Sequence, residues 1–364
     1  MIATVTDQSQ VAHARRLIAE FAAAAGLPEP RIGKLAIVVT ELATNLLKHA
    51  GSGEILVERF HDSDGAGLEI LAMDRGPGMK DVAACMRDGF STAGSLGQGL
   101  GAIARQSDHL RIYSRPGLGT VAAVRFVIEP APAAWMSQAG INQAAVSPGT
   151  VSPGVVSPAA ISQVAGARAG TAVQWGLAAM PYPGERVSGD GSAWRQTPAG
   201  PTMLMVDGSG HGSEARRAAD VAENVFQAHA AQPCEELVVR LHNALKPTRG
   251  AAVAVARVDL AARVVRYAGV GNISGILLSA TKLSRMVSHN GIAGHVAPRV
   301  RAFEYPFDDK PLVILHSDGI TSRWDLSAYP GILQQHPSLL ACILLRDFRR
   351  GRDDASVAAM RIHV

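Results

Sequence analysis

Aspartates beside glycine raise the first chemical question in this chain. Asp190 stands in Ser-Gly-Asp-Gly and Asp207 in Val-Asp-Gly-Ser-Gly-His-Gly, either side of the apolar run Thr-Met-Leu-Met-Val. Such residues build tight turns, because a short carboxylate bonds the backbone two residues on. They also make oxygen ligand sets. Further along, Asp318 ends a strand-like run in Ser-Asp-Gly, and Asp353 and Asp354 precede another apolar run. Acidic sites that recur at strand edges are hard to explain as independent turns. Carboxylate oxygens suit hard divalent cations such as Mg²⁺ or Mn²⁺. With two such ions, a bridging water becomes a nucleophile for in-line attack on phosphorus.

A second group lies in the first third. Glu41 and Asn45 are four apart on a helix-like stretch, so they share a face. That face flanks the apolar stripe Leu35, Val38, Val39, Leu42 and Leu46. A strand then runs into Asp74-Arg-Gly76-Pro-Gly78, where the carboxylate can accept from an exocyclic amine and glycine lets backbone approach a flat ring. The stretch Gly-Ser-Leu-Gly-Gln-Gly-Leu-Gly-Ala supplies Gly94, Gly97, Gly99, Leu100 and Gly101 just before a helix, where backbone N–H groups can meet phosphate. No Gly-Lys-Ser/Thr is present, so this is not a P-loop. Gly-Gln-Gly-Leu-Gly-Ala fits a dinucleotide fingerprint, yet no strand leads directly into it and no suitable acid follows.

The elements that must position these groups form two blocks. Residues 1–128 read as two helices, a pair of strands, the glycine-rich lid, a helix and two more strands, which predicts an α/β sandwich. Residues 171–364 read as many strands interrupted by helices at 213–230 and 234–246, which predicts a β-sandwich flanked by helices. The fold class is α+β. Residues 129–170 hold three Val-Ser-Pro units and almost no charge, a composition that predicts a flexible Ser/Pro/Ala/Gly linker.

At 364 residues the chain has length for two domains, each with its own core. Its net charge of +4 comes from dispersed basic residues, which argues against nucleic-acid binding. Three cysteines without a Cys-x-x-Cys pair read as buried small hydrophobes. With no apolar leader and no apolar run of membrane length, a cytoplasmic protein without membrane contact is expected.

Taken in order, Glu41-x-x-x-Asn45, Asp74-x-Gly-x-Gly and the glycine-rich lid resemble the GHKL ATPase superfamily (Bergerat fold), and within it the bacterial anti-sigma-factor and switch serine kinases. The resemblance implies ATP as cofactor, held by Asn45 through Mg²⁺, by Asp74, Gly76 and Gly78 at adenine, and by Gly97, Gly99, Leu100 and Gly101 of the lid. Glu41 is then the base that activates the attacking hydroxyl. The stretches around Asp190, Asp207, Asp318 and Asp353, with Ala-Gly-Val-Gly-Asn-Ile-Ser-Gly between them, resemble PPM-type phosphatases of the SpoIIE and RsbX branch. That resemblance implies two Mn²⁺ or Mg²⁺ ions on Asp190, Asp207, Asp318 and Asp353, with the Gly208 carbonyl assisting and Asp354 ranked behind Asp353. His211 reads as a packing or supporting residue, not a ligand. Together the resemblances imply a bifunctional serine/threonine kinase and phosphatase of partner switching. Its substrates would be STAS-domain antagonists of a sigma-factor or stressosome-like pathway, and a homodimer is possible in this kinase family. The alternative is an ATP-binding domain that only sequesters a partner, fused to an active phosphatase.

Overall fold

The computed structural model describes residues 1–86, 99–131, 172–280, 282–296 and 300–363. Gly94, Gly97 and the linker expected at 129–170, apart from 129–131, lie outside the described residues.

The first half begins with β1 (Ile2–Val5), α1 (Gln8–Ala24), α2 (Glu29–Asn45), β2 (Gly53–Asp62) and β3 (Gly65–Met73). It continues with α3 (Val82–Cys85), α4 (Gly99–Gln106), β4 (His109–Arg115) and β5 (Gly119–Glu129). Asp7 caps α1 by accepting from the Ser9 and Gln10 N–H groups, and prolines open α2 where a missing N–H costs nothing. The stripe Leu35, Val38, Val39 and Leu42 is buried against the sheet, as its spacing predicts. The helix that carries Glu41 and Asn45 changes character at Leu46–Ala50, which wind as a π-turn closed by left-handed Gly51. The sheet order is β1-β2-β3-β5-β4, with every neighbouring pair antiparallel. Strand β1, only four residues long, carries too short an alternation to be read from sequence.

The second half comprises β6 (Ala172–Met180), β7 (Asp190–Thr197), β8 (Gly200–Gly208), α5 (Gly212–His229), α6 (Cys234–Leu245), β9 (Ala251–Asp259), β10 (Val264–Val270) and β11 (Ser274–Leu278). It ends with β12 (Leu283–Met286), β13 (Phe303–Pro306), β14 (Leu312–His316), α7 (Pro337–Phe348) and β15 (Ala355–His363). Two five-stranded antiparallel sheets, β13-β10-β9-β8-β7 and β12-β11-β14-β15-β6, stack face to face. Between them lie Trp175, Trp194, Met203, Met205, Tyr267 and Met360. Helices α5 and α6 cover the outer face of the first sheet. Among the described residues no helix is long and apolar enough to cross a membrane.

Helix α7 covers the second sheet, and its sequence, Pro-Ser-Leu-Leu-Ala-Cys-Ile-Leu-Leu-Arg, is buried throughout. A helix apolar on all sides must be covered on all sides. The second cover is the free face of the N-terminal sheet: Leu56, Leu71, Met73, Val121 and Ala123 join one cluster with Leu339–Leu345 and with Val357 and Ala359 of β15. Each half also buries a core of its own, so this shared core is an addition at the junction.

A polar knot pins the same junction. Arg125, fully buried, donates to Glu69 at 2.7 Å, to both Asp62 oxygens at 2.9 Å and to Asp64 at 2.8 Å. It also donates to the Trp175 carbonyl across the junction at 2.9 Å. Ser338 Oγ closes the knot on Glu69 at 2.7 Å, and Trp175 N–H donates to Asp62 at 3.0 Å.

Candidate functional site

In the N-terminal half, Asn45 is the last residue of α2 before the π-turn, and Glu41 lies one turn earlier. Both face the start of α4: a Cβ placed on Gly99 would sit 3.0 Å from Glu41 Oε2 and 3.6 Å from Asn45 Oδ1. Any side chain at Gly99 would enter the space in front of the carboxylate. Leu100 and Gly101 follow in the same first turn of α4, and Gly97 lies outside the described residues.

Asp74 emerges from the end of β3. Its Oδ1 accepts from Gly76 N–H at 2.8 Å and Thr120 N–H at 3.2 Å, and its Oδ2 has no partner among the described residues. Burial pushes its carboxyl upward, against the two backbone bonds that lower it. Gly78 lies beyond it with φ of 70°, and a Cβ there would strike the Arg115 carbonyl at 1.9 Å. Only glycine fits that left-handed turn.

In the C-terminal half the β7–β8 hairpin pairs Asp190 directly with Asp207. The two residues belong to adjacent strands, not to separate turns, and the glycines around them admit close packing. Strand β14 leads into Asp318 and the loop before β15 carries Asp353; pairing of β14 with β15 brings these ends together. Asp207, Asp318 and Asp353 line a cleft of about 660 Å³ with Asn272, His211 and Arg352. Gly319 lets the Asp318 loop press against β15, where a Cβ would meet the Asp354 carbonyl at 1.9 Å.

Electrostatics set these carboxylates apart. Asp190, nearly fully buried, accepts from Ser356 Oγ at 2.7 Å, while its Oδ1 is buried with no partner. Burial pushes its carboxyl up to about 7. Asp207 is pushed up to about 9, by burial first and then by Asp190, Asp318, Asp353 and Asp354. Asp318 is raised too, by burial and Asp353, although Arg350 and a 2.7 Å bond from Asn272 lower it. Asp354 is committed elsewhere, accepting from Tyr182 N–H at 2.7 Å and Gly189 N–H at 3.0 Å. It fastens the β6–β7 connection to β15.

Among the described residues no three His, Cys, Asp or Glu side chains converge into a single-ion cage. Hydrated ions that keep several waters need only one or two carboxylates each, so a spread set still fits them. The orphaned Asp190 oxygen and the mutual repulsion at Asp207 are what added positive charge would relieve.

Asp190 and Asp207 bind protons more tightly in the folded chain than in the unfolded one. Their contribution is complete below the ordinary carboxylate range and is lost as pH rises through about 7 and 9. Metal-free protein should therefore melt progressively lower between pH 5 and 9. Saturating Mn²⁺ at pH 8 should raise the midpoint by about 5 °C or more. A flat metal-free profile in differential scanning calorimetry would contradict the arrangement.

Sequence reasoning assigned no role to Asn272, Ser356 or Arg352. Asn272 sits in Gly-Asn-Ile-Ser-Gly at a strand start, a polar residue beside glycine, which is the one signal that could have marked it. His211 caps α5 without a side-chain bond, pairs with Glu185 at 2.8 Å and stacks on Tyr182 at 4.2 Å. The cysteines are free, with Cys234 and Cys342 buried and Cys85 half-buried.

Residues 4–126 match the histidine kinase-like ATPase domain, and residues 200–363 match the stage II sporulation protein E (SpoIIE) family. The N-terminal part of the chain is thus similar to histidine kinase-like ATPase domains, and the C-terminal part to the SpoIIE family of phosphatases. Over 87 residues it is 41% identical to the serine/threonine-protein kinase RsbT of Bacillus subtilis (strain 168), covering 24% of this chain and 65% of that kinase, just under two thirds of its length. Over 138 residues it is 22% identical to the phosphoserine phosphatase RsbX of the same organism, covering 38% of this chain and 69% of RsbX. A solved structure from work on the bacterial stressosome shares 27% identity over 52% of this chain and 99% of its own, with a TM-score of 0.49. Domains of the first family bind ATP, and PPM phosphatases use Mg²⁺ or Mn²⁺.

Proposed function

We propose that the protein both phosphorylates and dephosphorylates serine or threonine on STAS-domain antagonists in a partner-switching pathway of the sigma-factor or stressosome type. The observation that carries the reading is the double site: Glu41 and Asn45 face the first turn of α4 in one half, and paired Asp190 and Asp207 adjoin Asp318 and Asp353 in the other. Retention of Glu41 beside Asn45 favours phosphoryl transfer over sequestration alone. The likeness to RsbT and RsbX names opposing activities of the same kind.

In the kinase half, Asp74 Oδ2 would accept from the adenine amino group, Asn45 would hold the Mg²⁺ that accompanies ATP, and Glu41 would take the proton of the attacking hydroxyl. Gly99, Leu100 and Gly101 bring backbone N–H groups to the phosphates at the start of α4. In the phosphatase half, Asp190, Asp207, Asp318, Asp353 and the Gly208 carbonyl would hold two divalent ions. Bound there, such ions would supply charge to draw in the phosphate and acidify an attacking water. Ser356 and Asn272 hold Asp190 and Asp318 by one oxygen each and leave the other to face the ions.

The test uses the full chain, Mg²⁺–ATP and purified STAS-domain proteins, with phosphoserine and phosphothreonine followed by mass spectrometry. Phosphate should appear on a partner and disappear once ATP is exhausted and Mn²⁺ added. Asn45→Ala should slow the transfer by more than about 100-fold and leave dephosphorylation unchanged. Tight ATP binding with no phosphate on any partner would replace this reading with the sequestering one.

A further inference from the structure

We infer that Arg346, contributed by the phosphatase half, is a positioning residue of the nucleotide site. It holds the end of β3 so that Asp74 presents its free oxygen to adenine. The inference rests on the assignment of Asp74 to adenine recognition and goes beyond it, because it makes that recognition depend on a helix of the other enzyme.

Arg346 lies on α7 and is 3% exposed. Its Nη1 donates to the Asp74 carbonyl at 2.7 Å and to the Thr120 carbonyl at 3.3 Å. Thr120 also holds Asp74: Asp74 N–H donates to the Thr120 carbonyl at 2.9 Å, and Thr120 N–H donates to Asp74 Oδ1 at 3.2 Å, beside the 2.8 Å bond from Gly76 N–H. One guanidinium nitrogen thus spans both strands where β3 ends and β5 begins. The rest of the fork cannot swing away, because Asp347 takes Nε at 3.0 Å and Nη2 at 2.6 Å. Asp347 is itself held by Tyr329 Oη at 2.8 Å and lies 3.5 Å from Arg75, the residue after Asp74.

The chemistry explains why arginine serves here. A planar fork can bond a carboxylate with one edge while a remaining N–H reaches backbone oxygen. An ammonium has the charge but not the fixed geometry. Removing the cation would leave the Asp74 carbonyl and the half-buried Asp347 carboxylate, two acceptors, without the donor they share. The end of β3 would shift to relieve that clash, and the Asp74 carboxylate would shift with it.

The experiment titrates full-length protein with ADP and with GDP by calorimetry, alongside Mn²⁺ binding and thermal melting. Wild type should prefer ADP. Arg346→Met should weaken ADP by about 10-fold or more and GDP much less, so the ADP/GDP ratio collapses. Arg346→Lys should recover part of the ratio, and Tyr329→Phe, which only loosens Asp347, should lower it by about two- to threefold. A general loss of packing would weaken both nucleotides equally, so the ratio separates the two explanations. Folded Arg346→Met with the wild-type ratio overturns the inference. If that variant does not fold, unchanged ratios in both Arg346→Lys and Tyr329→Phe overturn it. Failure of wild type to bind ADP at all would instead overturn the nucleotide-site assignment.

Discussion

Asp318→Ala is expected to slow Mn²⁺-supported dephosphorylation of a phosphoserine protein by more than about 100-fold, while ADP binding stays within about twofold. Asp318 follows β14, whose residues are all buried, so its backbone cannot drift to compensate. Its carboxylate has one oxygen on Asn272, stands close enough to Asp207 to raise that residue's proton affinity, and has its own raised by Asp353. A ligand of this kind is lost outright on truncation. The repulsion it exerts is lost too, so the metal-free variant should melt no lower than the wild type, and the Mn²⁺-induced rise in melting temperature should shrink. That pairing distinguishes loss of a ligand from loss of fold. ADP binding is spared because α7 and the N-terminal sheet lie between the second sheet, whose β14 leads into Asp318, and the face that carries α2 and α4. Normal turnover at an unchanged Mn²⁺ requirement would remove Asp318 from the site. Loss of both activities in folded protein would overturn the two-site model.

The second large effect concerns stability. Arg125→Met is expected to cost about 3–5 kcal/mol at pH 8, because it strands the carboxylates of Asp62 and Glu69 in the junction without their cation. In wild type, burial already pushes Asp62 up to about 6 even with Arg125 beside it. Without the guanidinium, proton affinity rises further, and folding then requires protonated acids. The sign is therefore fixed: the variant recovers stability as pH falls toward 5 and loses it as pH rises. Denaturant unfolding at pH 5.5 and pH 8 measures the difference. Adding Asp62→Asn and Glu69→Gln should recover much of the loss, since neutral groups of similar shape bury at lower cost. Melting of Arg125→Met at the wild-type midpoint at both pH values would show that the knot does not hold the halves together. Because Arg125 also reaches the Trp175 carbonyl, its removal should loosen the junction with β6 as well as the N-terminal sheet.

Much of the site was legible from local pattern. Glu41 and Asn45 share a face at any helical register, and α2 keeps that register. Asp74 was readable because strand alternation ends at a glycine-flanked acid. Asp190 and Asp207 were readable as acids flanking one apolar strand, but only the hairpin register pairs them directly. Less legible was the difference between Asp353 and Asp354. Adjacent residues at a strand start point to opposite faces, and only the β6–β7 connection decides which face meets the cleft.

The sequence by itself determined the local elements and the residue types that could do chemistry, because periodicity, glycine turns and charge are properties of neighbours along the chain. Tertiary structure alone decided what α7 is for. Its twelve residues, Pro337–Phe348, are a nearly continuous apolar run with no polar face, and such a run does not reveal which surfaces will cover it. The fold places it between two sheets contributed by different halves. The same placement carries Arg346 to the end of β3 and Ser338 to Glu69, contacts between residues 272 and 269 positions apart. Contacts at that separation leave no periodic trace in sequence, so the junction between the two domains is settled by packing and not by local pattern.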